Sequence, residues 1–270
     1  MSSPAVSVDA LTKVFRVADA AGRRTEFTAV SDVSFAVEAG GALGIVGESG
    51  SGKTTVARML VGLEHATSGA MTVLGHDRSR PARKATERRR RARQLQIVFQ
   101  DPYTSLDPSQ TIRSAVEEVL HAHSGLAGAA RAARLAELID QVGLDTRQAD
   151  ARPRELSGGQ RQRAAIARAL AAEPEALILD EAVSALDVSI QAQILNLLAD
   201  IRAATGIAYI LISHDLAVVR QLCDTVVVMR KGQVIERGEC AAVLDHPEQE
   251  YTRALRASVP VAGWKPGDGA

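Results

Sequence analysis

The chain has 270 residues, 46% of them hydrophobic and 24% charged, which suits one large globular domain or a domain with a substantial inserted part. Its 32 basic residues balance 32 acidic ones, so no global field argues for nucleic acid or an anionic membrane as partner. Two cysteines, Cys223 and Cys240, exclude a disulfide framework and predict a reducing compartment. The N-terminus lacks the basic and apolar regions of a signal peptide, and no apolar run approaches the roughly 20 residues that span a bilayer. A soluble chain is predicted, with any membrane role passing through a partner.

In chain order, "AVSVDALTKVF" and "FTAVSDVSFAVEAG" alternate polar and apolar residues with period two, predicting an antiparallel edge sheet. "GALGIVG" (41–47) is the first of five short apolar runs bounded by breakers. "LQIVF" (95–99), "ALILD" (176–180), "AYILIS" (208–213) and "DTVVVM" (224–229) are the others, and they read as buried strands of a largely parallel sheet. Between them, "GKTTVARMLVGL", "RLAELIDQVGL", "QRQRAAIARALAA" and "SIQAQILNLLADIRAATG" have helical spacing, which completes an α/β layering. The basic run 83–94 contains no aromatic for base stacking and predicts a solvated helix face. Residues roughly 101–172 are helical with few strand signals, predicting a helical subdomain inserted into the α/β core. The Ala-rich "SGLAGAARAARLAELIDQVGL" within it predicts packing inside that subdomain rather than a membrane-surface helix. "KGQVIERGE" reads as a hairpin, and "WKPGDGA" as a frayed tail.

The chemistry concentrates at strand ends. "GESGSGKTT" (Gly47–Thr55) satisfies G-x-x-x-x-G-K-[ST] between a predicted strand and a predicted helix, the context of a true phosphate loop. Its glycines let the backbone wrap phosphates, Lys53 places a charge on the β- and γ-phosphates, and Thr54 offers a hydroxyl to Mg²⁺. "ALILDE" delivers Asp180 to a strand's C-terminal end, where a carboxylate would hold Mg²⁺ through water. Glu181 follows, and adjacent strand residues point to opposite sides, so it is free to polarise an attacking water. His214 in "ISHD" ends the next strand on the same predicted face and is placed to contact the γ-phosphate and orient the water. The remaining histidines, His65, His76, His121, His123 and His246, carry a structural reading. "ELSGGQRQR" (Glu155–Arg163) is a second small-residue segment opening a helix, and its free N–H groups make it a second anion cradle.

These motifs together resemble the nucleotide-binding subunit of an ABC transporter. The phosphate loop Gly47–Thr54 corresponds to Walker A, Gln100 in "VFQDP" to the Q-loop, and "LSGGQ" (156–160) to the signature. Residues 176–180 correspond to Walker B, "SALD" (184–187) to the D-loop, and His214 to the switch histidine, all in the family's order over about residues 5–240. The resemblance implies a P-loop NTPase fold of ABC type: a RecA-like parallel-sheet core, an N-terminal antiparallel β subdomain and an inserted α-helical subdomain. It implies ATP and Mg²⁺, with Gly47, Glu48, Ser49, Gly50, Ser51, Gly52, Lys53, Thr54 and Thr55 around ATP and Thr54, Gln100 and Asp180 around the metal. Glu181, His214, Lys53 and Gln100 form the implied catalytic set. Phe15 sits where the family stacks adenine on an aromatic, with a core role as the alternative. Ser157, Gly158, Gly159, Gln160 and Asp187 are implied to complete the ATP site of a partner protomer, which predicts a head-to-tail dimer.

Within the family, "VGESGSGKTT", "IVFQDPYTSLDP", "DEAVSALDVSIQAQILNLL" and "SHDLAVVRQLCDTVVVM" resemble ATPases of oligopeptide and dipeptide importers and their nickel-importing relatives. The segment "HPEQEYTRALRASVP", inside a C-terminal extension over 241–270 beyond an ATPase domain at 1–240, resembles that group's tail. It departs at Gln249 and Glu250, where His-Pro is usual. The implied partners are transmembrane permease subunits, a second ATPase subunit and, indirectly, an extracytoplasmic solute-binding protein, with no nucleic acid. The implied location is the cytoplasmic face of the cell membrane. A soluble ABC ATPase acting on DNA or ribosomes, and a regulatory subunit without catalysis, are the competing classes. The first would carry a long coiled-coil insertion or two ATPase domains, and the second would have lost Lys53, Glu181 or His214.

Overall fold

The computed structural model describes residues 4–18, 24–101 and 105–257. Strands β1 (Val6–Ala18) and β2 (Arg24–Val37) pair antiparallel from Val6↔Val37 to Ala18↔Arg24, as their period-two pattern predicts. β3 (Ala42–Val46) then opens a second sheet and leads through a loop into helix α1 (Lys53–Val61). β4 (Ser68–Val73) and β5 (His76–Asp77) return to the first sheet, giving the order β2-β1-β4-β5. Neither of these two was expected from the sequence: β4 begins with three exposed residues and β5 is only 2 residues long, so neither leaves an apolar run.

The arginine-rich run forms α2 (Ala85–Gln94), which buries none of its residues, and passes directly into β6 (Leu95–Val98). Between β6 and β7 (Ala176–Asp180) lie α3 (Ile112–His123), α4 (Gly128–Gln141), α5 (Thr146–Asp150), a 3-10 turn at Pro153–Glu155 and α6 (Gly158–Leu170). The Ala-rich segment is α4, which packs Leu135, Leu138 and Ile139 inward. α7 (Val188–Thr205), β8 (Ala208–Ser213), α8 (Leu216–Leu222) and β9 (Thr225–Arg230) follow. β10 (Gln233–Glu239) pairs antiparallel with β9, so "KGQVIERGE" supplies a turn and one strand of a hairpin whose other strand precedes it. α9 (Cys240–Asp245) and α10 (Glu250–Ala257) close the described chain.

The large sheet has the order β10-β9-β3-β8-β7-β6, parallel throughout except for β10. Its central strands are buried on both faces and therefore read as continuous apolar runs. The pleat sends alternate residues to two different cores. Val46, Leu177, Leu179, Tyr209 and Leu211 join the core shared with α3–α8, while Ile45, Ile178, Ile210 and Ile212 join the one under α1 and the small sheet. At the N-terminal strand ends, Asp224 clasps β3 to the chain entering β9. Its carboxylate accepts from the Ala42 amide at 2.8 Å, and its own amide donates to the Ala42 carbonyl at 2.8 Å. Arg202 of α7 pairs with the same carboxylate and donates from Nε to the Gly40 carbonyl at 2.8 Å. The C-terminal strand ends, by contrast, open into loops.

Candidate active site

The loop after β3 takes its shape from backbone that only glycine adopts easily. Gly47 has φ +148°, and a Cβ there would meet the Met229 carbonyl oxygen at 2.1 Å. Gly52, with φ +103°, stands at the N-cap of α1, where no side chain caps the helix and a Cβ would meet the Ala29 carbonyl oxygen at 2.5 Å. The uncapped helix start leaves N–H groups for an anion. Lys53, the first residue of α1, is buried and folds its ammonium back over the loop. Nζ donates to the Gly47 carbonyl (2.7 Å), the Glu48 carbonyl (2.8 Å) and the Ser51 hydroxyl (3.3 Å). Burial pushes its pKa down, opposed by the nearby carboxylates of Glu181, Asp180 and Glu48. Its hydrogen bonds all go to neutral oxygens, which leaves the ammonium able to take a hydrogen-bonded counter-charge.

That counter-charge would enter a cleft of about 650 Å³ lined by Ser49, Thr54, Arg58, Phe99, Gln100, Asp101, Asp180, Glu181 and His214. Four segments meet here because the loops after β3, β6, β7 and β8 all leave the C-terminal ends of parallel strands in one sheet. Thr54 Oγ1 donates to Asp180 Oδ1 at 3.3 Å. Burial raises the Asp180 pKa, with the Thr54 hydrogen bond pulling the other way and Glu181 adding to the rise. A hydroxyl and a desolvated carboxylate side by side form a hard-oxygen donor pair that fits Mg²⁺.

Glu181 departs from expectation. The strand ends at Asp180, and Glu181 has a left-handed backbone, φ +49°, so a turn rather than the pleat separates the two carboxylates. Its amide donates to the Ile212 carbonyl at 2.9 Å, and its carbonyl accepts from the Ser184 hydroxyl at 3.0 Å, which pins the turn. His214 Nδ1 lies 3.4 Å from Glu181 Oε2. The turn carrying His214 is itself held, since the Asp215 amide donates to Ser213 Oγ at 2.9 Å and the Asp215 carboxylate caps α8. Arg58, Phe99 and Asp101 line the cleft without having been singled out in the sequence, because nothing in their spacing marks them.

The other candidates lie outside this cleft. Phe15 is half-buried on β1, opposite Phe27, with the Lys13 ammonium 4.6 Å from its ring centroid. It belongs to neither hydrophobic core, which removes the alternative of a core role. Ser157 is exposed and N-caps α6 in a capping box: its hydroxyl accepts from the Gln160 amide at 3.4 Å, and Gln160 Oε1 accepts from the Ser157 amide at 2.8 Å. Gly159 is tight against α7, where a Cβ would meet Ile190 Cγ2 at 2.5 Å. Gly158, Gln100 and Asp101 share a smaller hollow of about 260 Å³ with Leu186 beside Asp187, the exposed N-cap of α7.

Residues 30–184 match the ABC transporter family. The chain belongs to that family. As an ABC ATPase it is 47% identical over 241 residues to a Brucella abortus (strain 2308) ATP-binding protein named for peptide import, an alignment covering 89% of this chain and 72% of the relative. It is 49% identical over 239 residues to the glutathione import ATP-binding protein GsiA of Escherichia coli (strain K12), covering 88% of this chain but only 38% of that longer protein. Among solved structures, the dimeric post-hydrolysis ATP-binding cassette MJ0796 bound to ADP and Pi superposes with a TM-score of 0.76 at 27% identity, covering 87% of this chain and 98% of the other. CbiO1 of Clostridium perfringens, part of the CbiONQ ABC transporter complex, gives a TM-score of 0.77 at 26% identity, covering 96% and 97%.

Proposed function

We propose that this ABC ATPase drives uptake of short peptides through a membrane permease, to which it binds as a peripheral subunit on the cytoplasmic side. The observation that carries the catalytic half is the convergence of Lys53, Thr54, Asp180, Glu181 and His214 at one edge of the parallel sheet. The cargo half rests on relatives named for peptide and glutathione import at 47% and 49% identity. None of the described helices is long and apolar enough to cross a membrane, so translocation needs permease subunits.

ATP is the substrate. On its arrival the Lys53 ammonium exchanges loop carbonyls for β- and γ-phosphate oxygens, while N–H groups of the loop and of the α1 start, other than the Glu48 amide that Tyr251 holds, surround the phosphates. Thr54 and Asp180 would hold Mg²⁺, with Gln100 completing its shell, and the ion neutralises phosphate charge when bound. Glu181 accepts a hydrogen bond from the attacking water, and His214, 3.4 Å from its carboxylate, orients both toward the γ-phosphate. Phe15 supplies an aromatic face for adenine. Ser157, Gly158, Gly159, Gln160 and Asp187 lie outside the cleft of their own chain, and this supports their action on the ATP of a second ATPase subunit, head to tail. An inserted helical unit at 101–172 and Gln100 pass closure to the permease, and an extracytoplasmic solute-binding protein delivers cargo.

Glu181→Gln tests the reading. Nucleotide binding should be retained while phosphate release falls about 10²- to 10⁴-fold, and uptake of a labelled tripeptide by cells should fall with it. Wild-type hydrolysis in this variant would remove Glu181 from the mechanism. Lost hydrolysis with intact tripeptide uptake would instead sink the peptide assignment.

A further inference from the structure

The phosphate loop is held from outside the β3–α1 unit. The Gly232 amide, in the β9–β10 turn, donates to the Ser51 carbonyl at 3.0 Å. At the other end of the loop, the Glu48 amide donates to the hydroxyl of Tyr251 at 3.2 Å. Tyr251 lies on α10, 203 positions further along the chain. Its ring is buried, and the Arg230 guanidinium stacks on it at 4.7 Å from the centroid. Arg230 follows Met229, whose carbonyl is the oxygen that excludes a Cβ at Gly47. One patch of structure thus sets the loop's first turn, its last carbonyl and its entry from β3.

α10 is seated by contacts of its own. The Glu236 carboxylate of β10 accepts from the Glu248 amide (2.8 Å) and the Gln249 amide (3.3 Å) at the start of the helix. Tyr251 and Leu255 join the core shared with α7 and α8. The same helix buries Thr252 completely, yet its hydroxyl has no partner among the described residues. A buried unpaired hydroxyl weakens docking relative to an all-apolar face.

We propose that Tyr251 is a positioning residue for nucleotide binding, fixing the Glu48 amide and hence the curvature of the phosphate loop, so that α10 both senses and biases nucleotide occupancy. The proposal rests on the ATP-binding reading of that loop. Its physical basis is preorganisation. An unheld Glu48 amide samples other directions, and the loop must be re-ordered each time phosphate enters. Because linkage is reciprocal, ATP that tightens the loop must also tighten α10. Any factor that displaces α10 would then weaken ATP binding without touching the cleft.

The test uses the full chain and the Tyr251→Phe variant, which keeps the ring and its Arg230 stack and deletes one oxygen. MgATP affinity should weaken about three- to tenfold, the range for one neutral hydrogen bond, with the melting temperature of the nucleotide-free protein nearly unchanged. Hydrogen exchange in 250–257 should slow when wild type binds MgATP and should respond less in the variant. Wild-type affinity in Tyr251→Phe would overturn the proposal. Should the variant fold poorly, absence of nucleotide-dependent protection in 250–257 of the wild type would overturn it equally. Lys53→Ala separates the two levels: if it binds MgATP as wild type does, the phosphate-loop reading itself is wrong. If it loses binding while Tyr251→Phe does not, only the role of Tyr251 fails.

Discussion

Two helix starts in this chain carry paired glycines, and they are built on opposite principles. At α1 the backbone itself is unusual: Gly47 and Gly52 take positive φ, no side chain caps the helix, and a buried lysine folds back onto the loop's carbonyls. At α6 the backbone is ordinary, Ser157 and Gln160 cap each other, and Gly159 is small because α7 passes close by. The first is therefore a loop shaped by its own backbone and held from within the chain. The second is a finished helix end that presents an exposed serine and a helix dipole to whatever approaches. A segment that is exposed, capped and outside its own chain's cleft suits work on another protomer.

Substitutions can break that contrast, and the largest effect should come from the first loop. Gly47→Ala places a Cβ 2.1 Å from the Met229 carbonyl oxygen and should destabilise the fold by about 2–4 kcal/mol while abolishing ATP binding. Denaturant titration and nucleotide binding would read it, and a stable variant that binds ATP would refute the cradle. Ser157→Ala should cost about 1 kcal/mol for the lost cap and lower hydrolysis in the assembled transporter, while the isolated chain binds ATP normally. Loss of binding by the isolated chain would contradict action on a second subunit. An effect of comparable size and opposite sign is expected at Asp180. Its native pKa is raised, so its contribution to nucleotide-free stability is fully present below the ordinary carboxylate pKa and is lost as pH rises through the native value. Asp180→Asn should remove that loss, stabilising the nucleotide-free protein by about 0.5–2 kcal/mol at neutral pH as it lowers hydrolysis. Melting curves across pH would show the variant's profile flattened, and an unchanged profile would place the burden elsewhere.

The large sheet and the main helices were legible because its five parallel strands are mostly buried, β3, β7 and β8 on both faces throughout, which writes five apolar runs into the sequence. β4 and β5 were not, since a strand with an exposed first half and one of 2 residues leave no such run, and α8, at 7 residues, is too short to establish a period. In the cleft, residue types and order marked Thr54, Asp180 and His214. The left-handed turn at Glu181 was hidden, because a glutamate there gives no glycine-like signal of positive φ. The Tyr251 contact was hidden for a different reason. Local patterns carry no information about a hydrogen bond that spans 203 positions.

The clasp at Asp224 has a mechanical consequence. With both Ala42 backbone groups bonded to Asp224, and Arg202 tied to the same corner, β3 and β9 cannot slide past each other at that end. The register of β3 against β9 is therefore set at the end of the sheet away from the phosphate loop, and that register fixes the height at which the Met229 carbonyl meets Gly47.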